Sequence, residues 1–135
     1  MVKPGENRFD YAVAELKKSA GCKVTKEDSL GACSIFELVN PPKGGPPRHI
    51  HHREDEWYYV LSSEFLFEVG NVKYTLPVGG SICAPRDIPH VLANVGTTEG
   101  RIILMCIPRI RELLRRECKG THGQDERRRY ECDCD

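Results

Sequence analysis

Three of the chain's five histidines lie within four positions, in the stretch RHIHHREDEWYYVL at residues 48–61. In a β-strand, residues two apart point to the same face. We therefore expect His49 and His51 to project together, and His52 to point the other way. Two adjacent imidazoles suit a borderline metal ion, and without one they would be two costly polar groups inside a fold. The pattern predicts metal chemistry at this point of the chain.

A carboxylate is needed to complete such a site, and Glu56 is the best candidate. It opens the strand that follows the charged turn HRED. If the turn reverses the strand's parity, Glu56 points inward and shares its face with Tyr58. Glu54 and Asp55 are the rivals, but their position in the turn predicts that they are solvated.

A third imidazole is supplied far along the chain by His90, which follows the proline-flanked turn PRDIP. Three neutral imidazoles and one carboxylate leave one or two positions open on a six-coordinate metal. This arrangement favours chemistry or ligand capture over a closed structural site. Glu56 is then expected to move a proton as well as to bind metal, which makes it the catalytic candidate.

The elements that must position these residues are predicted to be short β-strands. Apolar, β-prone segments separated by turn residues occur throughout the middle of the chain, and Gly70–Asn71 is a tight hairpin signal. This spacing favours an antiparallel sandwich or small barrel, in the all-β class. The predicted strands are ACSIFELV, HIH, EWYYVLSS, EFLFEVG, NVKYTL, HVLANV and RIILMCI.

The predicted barrel spans residues 30–108, and the segments before and after it have a different residue pattern. Residues 1–29 form an N-terminal extension, either a short helix or an edge strand that ends at Gly21. Residues 109–120 are predicted to be a helix with Ile110, Leu113 and Leu114 on one face. Residues 121–135 are polar and charged, which predicts a disordered tail.

The bulk composition excludes several functions for this 135-residue chain. Twenty basic residues balance twenty acidic ones, so charge gives no argument for nucleic acid or an anionic membrane as partner. No apolar run is long enough to span a membrane, and the opening MVKPGENRFD lacks a signal-peptide core. These features predict a cytoplasmic protein whose seven cysteines are reduced. A zinc site in the Cys-rich tail is disfavoured because the spacing is atypical.

The paired motifs resemble those of the cupin superfamily. GGPPRHIHHREDEWYYVLSS is similar to the first cupin motif, with Gly45, His49, His51 and Glu56 at the expected spacing. GGSICAPRDIPHVLAN is similar to the second, with Gly79, Pro85, His90 and Asn94 in place. Two positions depart from the pattern: Ser63 and Asp87 stand where glycine is usual, in turns that often need positive φ.

The resemblance implies a jelly-roll barrel that binds one divalent transition metal (iron, manganese, nickel, copper or zinc) near its mouth, through His49, His51, Glu56 and His90. It also implies a homodimer. Within the superfamily, the sequence resembles the small single-domain cupins that are similar to quercetin dioxygenases.

We therefore expect a metal-dependent enzyme, of dioxygenase type, acting on a small oxygen-rich molecule. A sugar or keto-acid isomerase and a non-catalytic binding protein are the alternatives. Strand parity makes Tyr58 the expected hydrogen-bond donor beside Glu56, whereas Asn94 is expected to stabilise a turn. The candidates for the substrate pocket, which have the barrel core as their alternative role, are Tyr58, Val60, Phe65, Phe67, Met105 and Ile107.

Overall fold

The computed structural model describes residues 1–3 and 20–109, and these residues form β-strands without a helix. Every strand pairing is antiparallel, so the predicted all-β antiparallel class is confirmed. The predicted helix lies outside the described residues from residue 110 onward, as does the predicted tail at 121–135. The strands are β1 (Ala20–Val24), β2 (Ser34–Asn40), β3 (Glu54–Ser62), β4 (Phe65–Val69), β5 (Val72–Leu76), β6 (Ser81–Ala84), β7 (His90–Asn94) and β8 (Gly100–Pro108).

The strands form two sheets that share one core. The five-stranded sheet has the order β1-β2-β8-β3-β6, and the three-stranded sheet has the order β5-β4-β7. Among the described residues no continuous ladder joins the two sheets, so the architecture is a two-sheet sandwich and the predicted closure into a barrel is not found. Apolar side chains from both sheets meet between them. The buried cluster consists of Tyr58, Val60, Phe65, Phe67, Ala84, Leu92 and Ile102.

Strand β1 was not predicted from the sequence. Gly21 was expected to end the preceding element, but it lies inside β1 and pairs with Glu37 of β2. The prediction was wrong because local propensity is weak at an edge strand, where pairing with a long neighbour decides the structure. The five-stranded sheet consequently begins ahead of residue 30, where the barrel was expected to start.

The turns follow the sequence closely. Gly70 and Asn71 alone separate β4 from β5, and Gly70 has φ of 61°, as a tight hairpin with glycine at its first central position requires. Ser63 and Asp87 have φ of 69° and 63°. Both residues therefore adopt the left-handed conformation that the glycines of the resembling motifs would adopt without strain.

Asn94 stabilises the turns around Ser63, as expected. Its Nδ2 donates to the carbonyl oxygens of Asn40 (2.9 Å) and Thr98 (2.7 Å). Its Oδ1 accepts from Ser63 Oγ (2.8 Å) and from the Gly96 amide (3.0 Å). The bond from Ser63 offsets part of the strain of its positive φ, because a buried acceptor would otherwise lose a partner.

Candidate metal centre

The loop before β3 carries two of the three clustered histidines against β7. His49 forms an isolated antiparallel bridge with His90, with N–H···O distances of 3.0 and 2.9 Å. The predicted strand HIH is thus reduced to one bridging residue. Pro46 and Pro47 precede it and have no amide hydrogen, so a ladder cannot extend in that direction.

Two further contacts hold this loop in place. An ideal Cβ built on Gly45 would lie 2.0 Å from the Leu92 carbonyl oxygen, so only glycine allows the loop to approach β7 this closely. The Asp87 amide donates to the carbonyl oxygen of His51 at 2.8 Å. The loop is therefore fixed on both sides of His49, which limits the backbone freedom of both histidines.

The four predicted ligands converge. His49, His51, Glu56 and His90 each offer a ligand atom, and these atoms all lie within 4.8 Å of one another. Glu56 Oε2 lies 2.8 Å from His90 Nε2 and 3.9 Å from His49 Nε2, whereas Oε1 lies 3.3 Å from His51 Nε2. Glu56 and His90 are buried at 3% and 2% exposure, but the side chains of His49 and His51 are 31% exposed. The cluster is therefore buried on one side and open to solvent on the other.

The donor set fits a divalent transition metal. His49 Nδ1 lies 2.8 Å from the Pro47 carbonyl oxygen and His90 Nδ1 lies 3.1 Å from that of Ile88. Because a carbonyl can only accept, each Nδ1 carries a hydrogen, and Nε2 is the atom turned toward Glu56. With bonds of about 2.1 Å, opposite ligands of one ion lie about 4.2 Å apart. The limit of 4.8 Å within which the four ligand atoms lie is about 0.6 Å larger than this separation.

The charges of the cluster depend on one another. Burial raises the pKa of Glu56, but hydrogen bonds from His90 and Tyr58 outweigh it and hold the pKa below its usual value. The hydrogen bond to Glu56 in turn raises the pKa of His90. Both net shifts come largely from the contact between Glu56 Oε2 and His90 Nε2, and a bound cation would compete with the proton of that contact.

Tyr58 lies where strand parity predicted. Its hydroxyl donates to Glu56 Oε2 at 2.5 Å, and its ring packs on Phe67 with centroids 5.2 Å apart. Burial and the neighbouring carboxylate raise the pKa of the Tyr58 hydroxyl, which keeps it a donor. Val60, Phe65 and Phe67 are fully buried in the core between the sheets; a pocket role for them stays a prediction.

Met105 and Ile107 do not belong to this site. On β8, Met105 pairs with Trp57 and Ile107 with Asp55, the residues of β3 that flank Glu56. Because successive strand residues point to opposite faces, both side chains lie on the outer face of the five-stranded sheet. The pocket prediction was wrong for these two residues because the register of β8 against β3 is not visible in the sequence.

The residue of β8 that does lie at the site is Cys106. It pairs with Glu56, is 6% exposed, and its Sγ lies 3.7 Å from Glu56 Oε1. Burial, reinforced by the charge of Glu56, raises the pKa of the Cys106 thiol. From the sequence, the apolar neighbours of Cys33, Cys83 and Cys106 predict buried, inert thiols at all three positions. In the structure Cys33 is partly exposed and Cys83 is exposed.

The two rival carboxylates are not free in a turn, because β3 already begins at Glu54. Glu54 accepts from Lys26 Nζ at 3.2 Å. Asp55 accepts from the amide and Nε of Arg86 at 2.8 and 2.9 Å, and its second oxygen pairs with the Arg86 guanidinium. Both side chains remain partly exposed, so only their expected placement in the turn was wrong. Glu54 Oε1 also lies 3.6 Å from His51 Nδ1.

His52 points away from the cluster, as expected. Its Nδ1 lies 2.8 Å from an Asp87 carboxylate oxygen, and the two side chains are 69% and 65% exposed.

No helix of the described residues is long and apolar enough to cross a membrane. The cytoplasmic location and the homodimer stay predictions.

Comparison with known proteins identifies the family. The model of the cupin domain matches residues 36–107, which is more than half of the chain and includes all four clustered residues. The chain therefore belongs to the cupin family. The resemblance drawn from the paired motifs is confirmed.

Two curated relatives match part of this region. An uncharacterized protein of Methanocaldococcus jannaschii is 28% identical over 75 residues, and Protein SchB of Streptomyces halstedii is 29% identical over 77 residues. Each match covers 56% of this chain, and it covers 60% and 56% of the respective relative. The chain thus spans little more than half the length of the curated relatives it matches.

Solved structures show the same fold. A structure described as a predicted oxalate decarboxylase from Thermotoga maritima has a TM-score of 0.64 at 21% identity, covering 67% of this chain and 79% of that one. An oxalate oxidase has a TM-score of 0.57 at 24% identity, covering 67% and 50%. The cupin domain of Schizosaccharomyces pombe Cnp3 has a TM-score of 0.63 at 14% identity, covering 73% and 69%.

Proposed function

We propose that this cupin is a metal-dependent enzyme of dioxygenase type that acts on a small oxygen-rich molecule. The observation that carries the proposal is the convergence of three imidazole Nε2 atoms on the buried carboxylate of Glu56, beside the solvent-exposed edges of His49 and His51. A divalent transition metal held by these residues would supply Lewis acidity and, where redox-active, electron transfer.

The chain's own groups would bind and orient a substrate in distinct ways. The exposed edges of His49 and His51 leave an approach from solvent, whereas His90 and Glu56 close the inner side. Behind Glu56, Tyr58 packs on Phe67, and both side chains are almost fully buried. Where water is excluded, the effective dielectric constant is lower and charged groups interact more strongly.

Glu56 is the group placed to hold or transfer a proton. Its Oε2 lies within hydrogen-bond distance of both the Tyr58 hydroxyl and His90 Nε2, and both partners favour the ionised carboxylate. A carboxylate held in this way is placed to act as a general base, with proton transfer through one of these two contacts. The exposed edges of His49 and His51 would give a small oxygen-rich substrate access to the cluster. The names of two similar structures refer to oxalate, a molecule of that kind.

The proposal is tested first by metal content. We expect about one equivalent of iron, manganese, nickel or copper in protein purified without chelators or nickel resin, measured by elemental mass spectrometry. His49→Ala, His51→Ala and His90→Ala should each lower metal affinity by at least about 10-fold. The matched control is His52→Ala, because it removes the adjacent histidine on the other side and should retain the metal.

Turnover is tested next by oxygen uptake with the metal-loaded protein and oxalate, catechol and enediol probes. Oxygen consumption that disappears in the His90→Ala variant supports the proposal. Bound metal without oxygen consumption would contradict the dioxygenase activity. An isomerase or a non-catalytic binding protein would then be the remaining alternatives. A folded protein that takes up no metal would overturn the metal centre itself.

A further inference from the structure

Cys106 occupies a special position relative to Glu56. Strands β8 and β3 are neighbours, and their register places the two residues directly opposite each other on the inner face of the sheet. Cross-strand partners of this kind are close enough for their side chains to interact. The thiol Sγ lies 3.7 Å from Glu56 Oε1 and donates a hydrogen bond to it.

The two carboxylate oxygens of Glu56 have different partners. Oε2 accepts from the Tyr58 hydroxyl at 2.5 Å and lies 2.8 Å from His90 Nε2. Oε1 lies beside His51 Nε2 at 3.3 Å and accepts from the Cys106 thiol. A terminal carboxylate torsion is broad and soft, so a carboxylate held at one oxygen alone remains free to turn. A donor at each oxygen fixes its plane.

The grouping of donor atoms separates Cys106 from the imidazoles. Cys106 groups with Glu54 and Glu56, whereas the three histidines group with Glu56. Glu56 belongs to both groups, and Glu54 lies at their border, with Oε1 3.6 Å from His51 Nδ1. This arrangement favours an indirect effect of the thiol, through the carboxylate, over direct ligation.

We propose that Cys106 is a positioning residue, which fixes the orientation of Glu56 toward a metal held by the imidazole cluster. This inference rests on the proposed metal centre. The thiol donates to Oε1 and complements Tyr58, which holds Oε2. Partners of metal-binding carboxylates typically change affinity by about 10–100-fold when removed. Because a thiol is a weak donor, we expect an effect near the lower end of that range.

The experiment is a Co²⁺ titration of the full chain, followed by visible absorption and by competition with a chelating dye. In Cys106→Ala we expect the dissociation constant to rise about 10-fold and the ligand-field bands to shift, because Oε1 has lost its donor. In Cys106→Ser a hydroxyl donor is retained, so affinity and spectrum should return toward those of the unmodified protein. The control Cys83→Ala removes an exposed thiol on β6, the other neighbour of β3. It should change neither the Co²⁺ affinity nor the spectrum.

The outcomes separate this inference from the metal centre on which it rests. If the unmodified protein binds no Co²⁺, the centre is wrong and the inference falls with it. If it binds Co²⁺ and Cys106→Ala matches it in affinity and spectrum, the centre stands and the positioning role is wrong. A sulfur-to-cobalt charge-transfer band that disappears in Cys106→Ala would show direct ligation and would also overturn the proposal. Cys106→Ser covers the case in which the alanine variant fails to fold.

Discussion

The two faces of β3 give neighbouring carboxylates different roles. Asp55 points outward and forms a two-point ion pair with Arg86. Glu56, the next residue, points inward, is 3% exposed and lies among imidazoles. The chemistry of the two side chains is nearly the same, so their roles are set by the alternation of the strand and by what each face meets.

The same contrast holds for the two tyrosines that follow. Tyr58 is 2% exposed and donates to Glu56, whereas Tyr59 is 36% exposed and stacks on Trp57 with centroids 5.9 Å apart. The inner face of β3 therefore serves both the core and the cluster. The outer face carries contacts that hold the sheet surface together.

The largest expected difference between the faces is in metal binding. Glu56→Gln keeps the size of the side chain but removes the charge at the centre of the imidazole cluster, so Mn²⁺ affinity should fall by about 10-fold or more. The matched change Asp55→Asn alters an adjacent carboxylate on the other face and should leave affinity within about 2-fold. Calorimetric titration measures both, and equal losses would show that the ion pair with Arg86 also orders the cluster.

The next difference is in stability. Tyr58→Ala opens a cavity in the buried cluster and removes one of the two hydrogen-bond partners of Glu56 Oε2, so the free energy of unfolding should fall by about 3–5 kcal/mol. Tyr59→Ala removes a partly exposed stacking contact and should cost about 1 kcal/mol. Chemical denaturation of metal-free protein checks the pair. Similar values would mean that the outer face is covered in solution as thoroughly as the inner one.

The two faces of β3 also show which features can be predicted from the sequence and which cannot. The direction of Tyr58 follows from its parity with Glu56 on β3, because residues two apart share a face. The histidines were found by their type and motif spacing, since His49 and His51 lie in a loop and His90 opens the distant strand β7. The positions of Ser63 and Asp87 also follow, since their turns demand positive φ whichever residue is present. Local rules were sufficient wherever the constraint lay within a few residues.

The remaining features depend on pairing between distant strands. Met105 was placed at the site and Cys106 was not, because only the register of β8 against β3 determines which of the two faces Glu56. Gly21 seemed to end an element, yet β1 is held by its ladder with β2. A one-residue change of register exchanges the faces of a whole strand, and an apolar run such as RIILMCI does not specify that register.

A smaller effect concerns the ion pair on the outer face. A hydrogen bond from Arg86 is the main reason that the pKa of Asp55 lies below its usual value of 3.8. The pair therefore stabilises the folded state above that pH, and the contribution is lost as pH falls through the lowered pKa. Asp55→Asn should cost about 1 kcal/mol at pH 7, given its partial exposure. The difference in the free energy of unfolding between the variant and the unmodified protein should shrink in acid. Chemical denaturation at pH 7 and pH 3 would test this. A difference that does not change with pH would assign the loss to packing.

The smallest expected effect is at His52, the outward neighbour of His51. Its contact with Asp87 lies between side chains that are mostly exposed, so His52→Ala should change the free energy of unfolding by less than about 0.5 kcal/mol. Asp87 nevertheless has a second role, because its amide donates to the carbonyl oxygen of His51 while its φ is 63°. If His52→Ala lowers both stability and metal affinity, the outer pair supports the turn that holds His51. The two faces would then be coupled through Asp87, whereas an unchanged metal affinity keeps them independent.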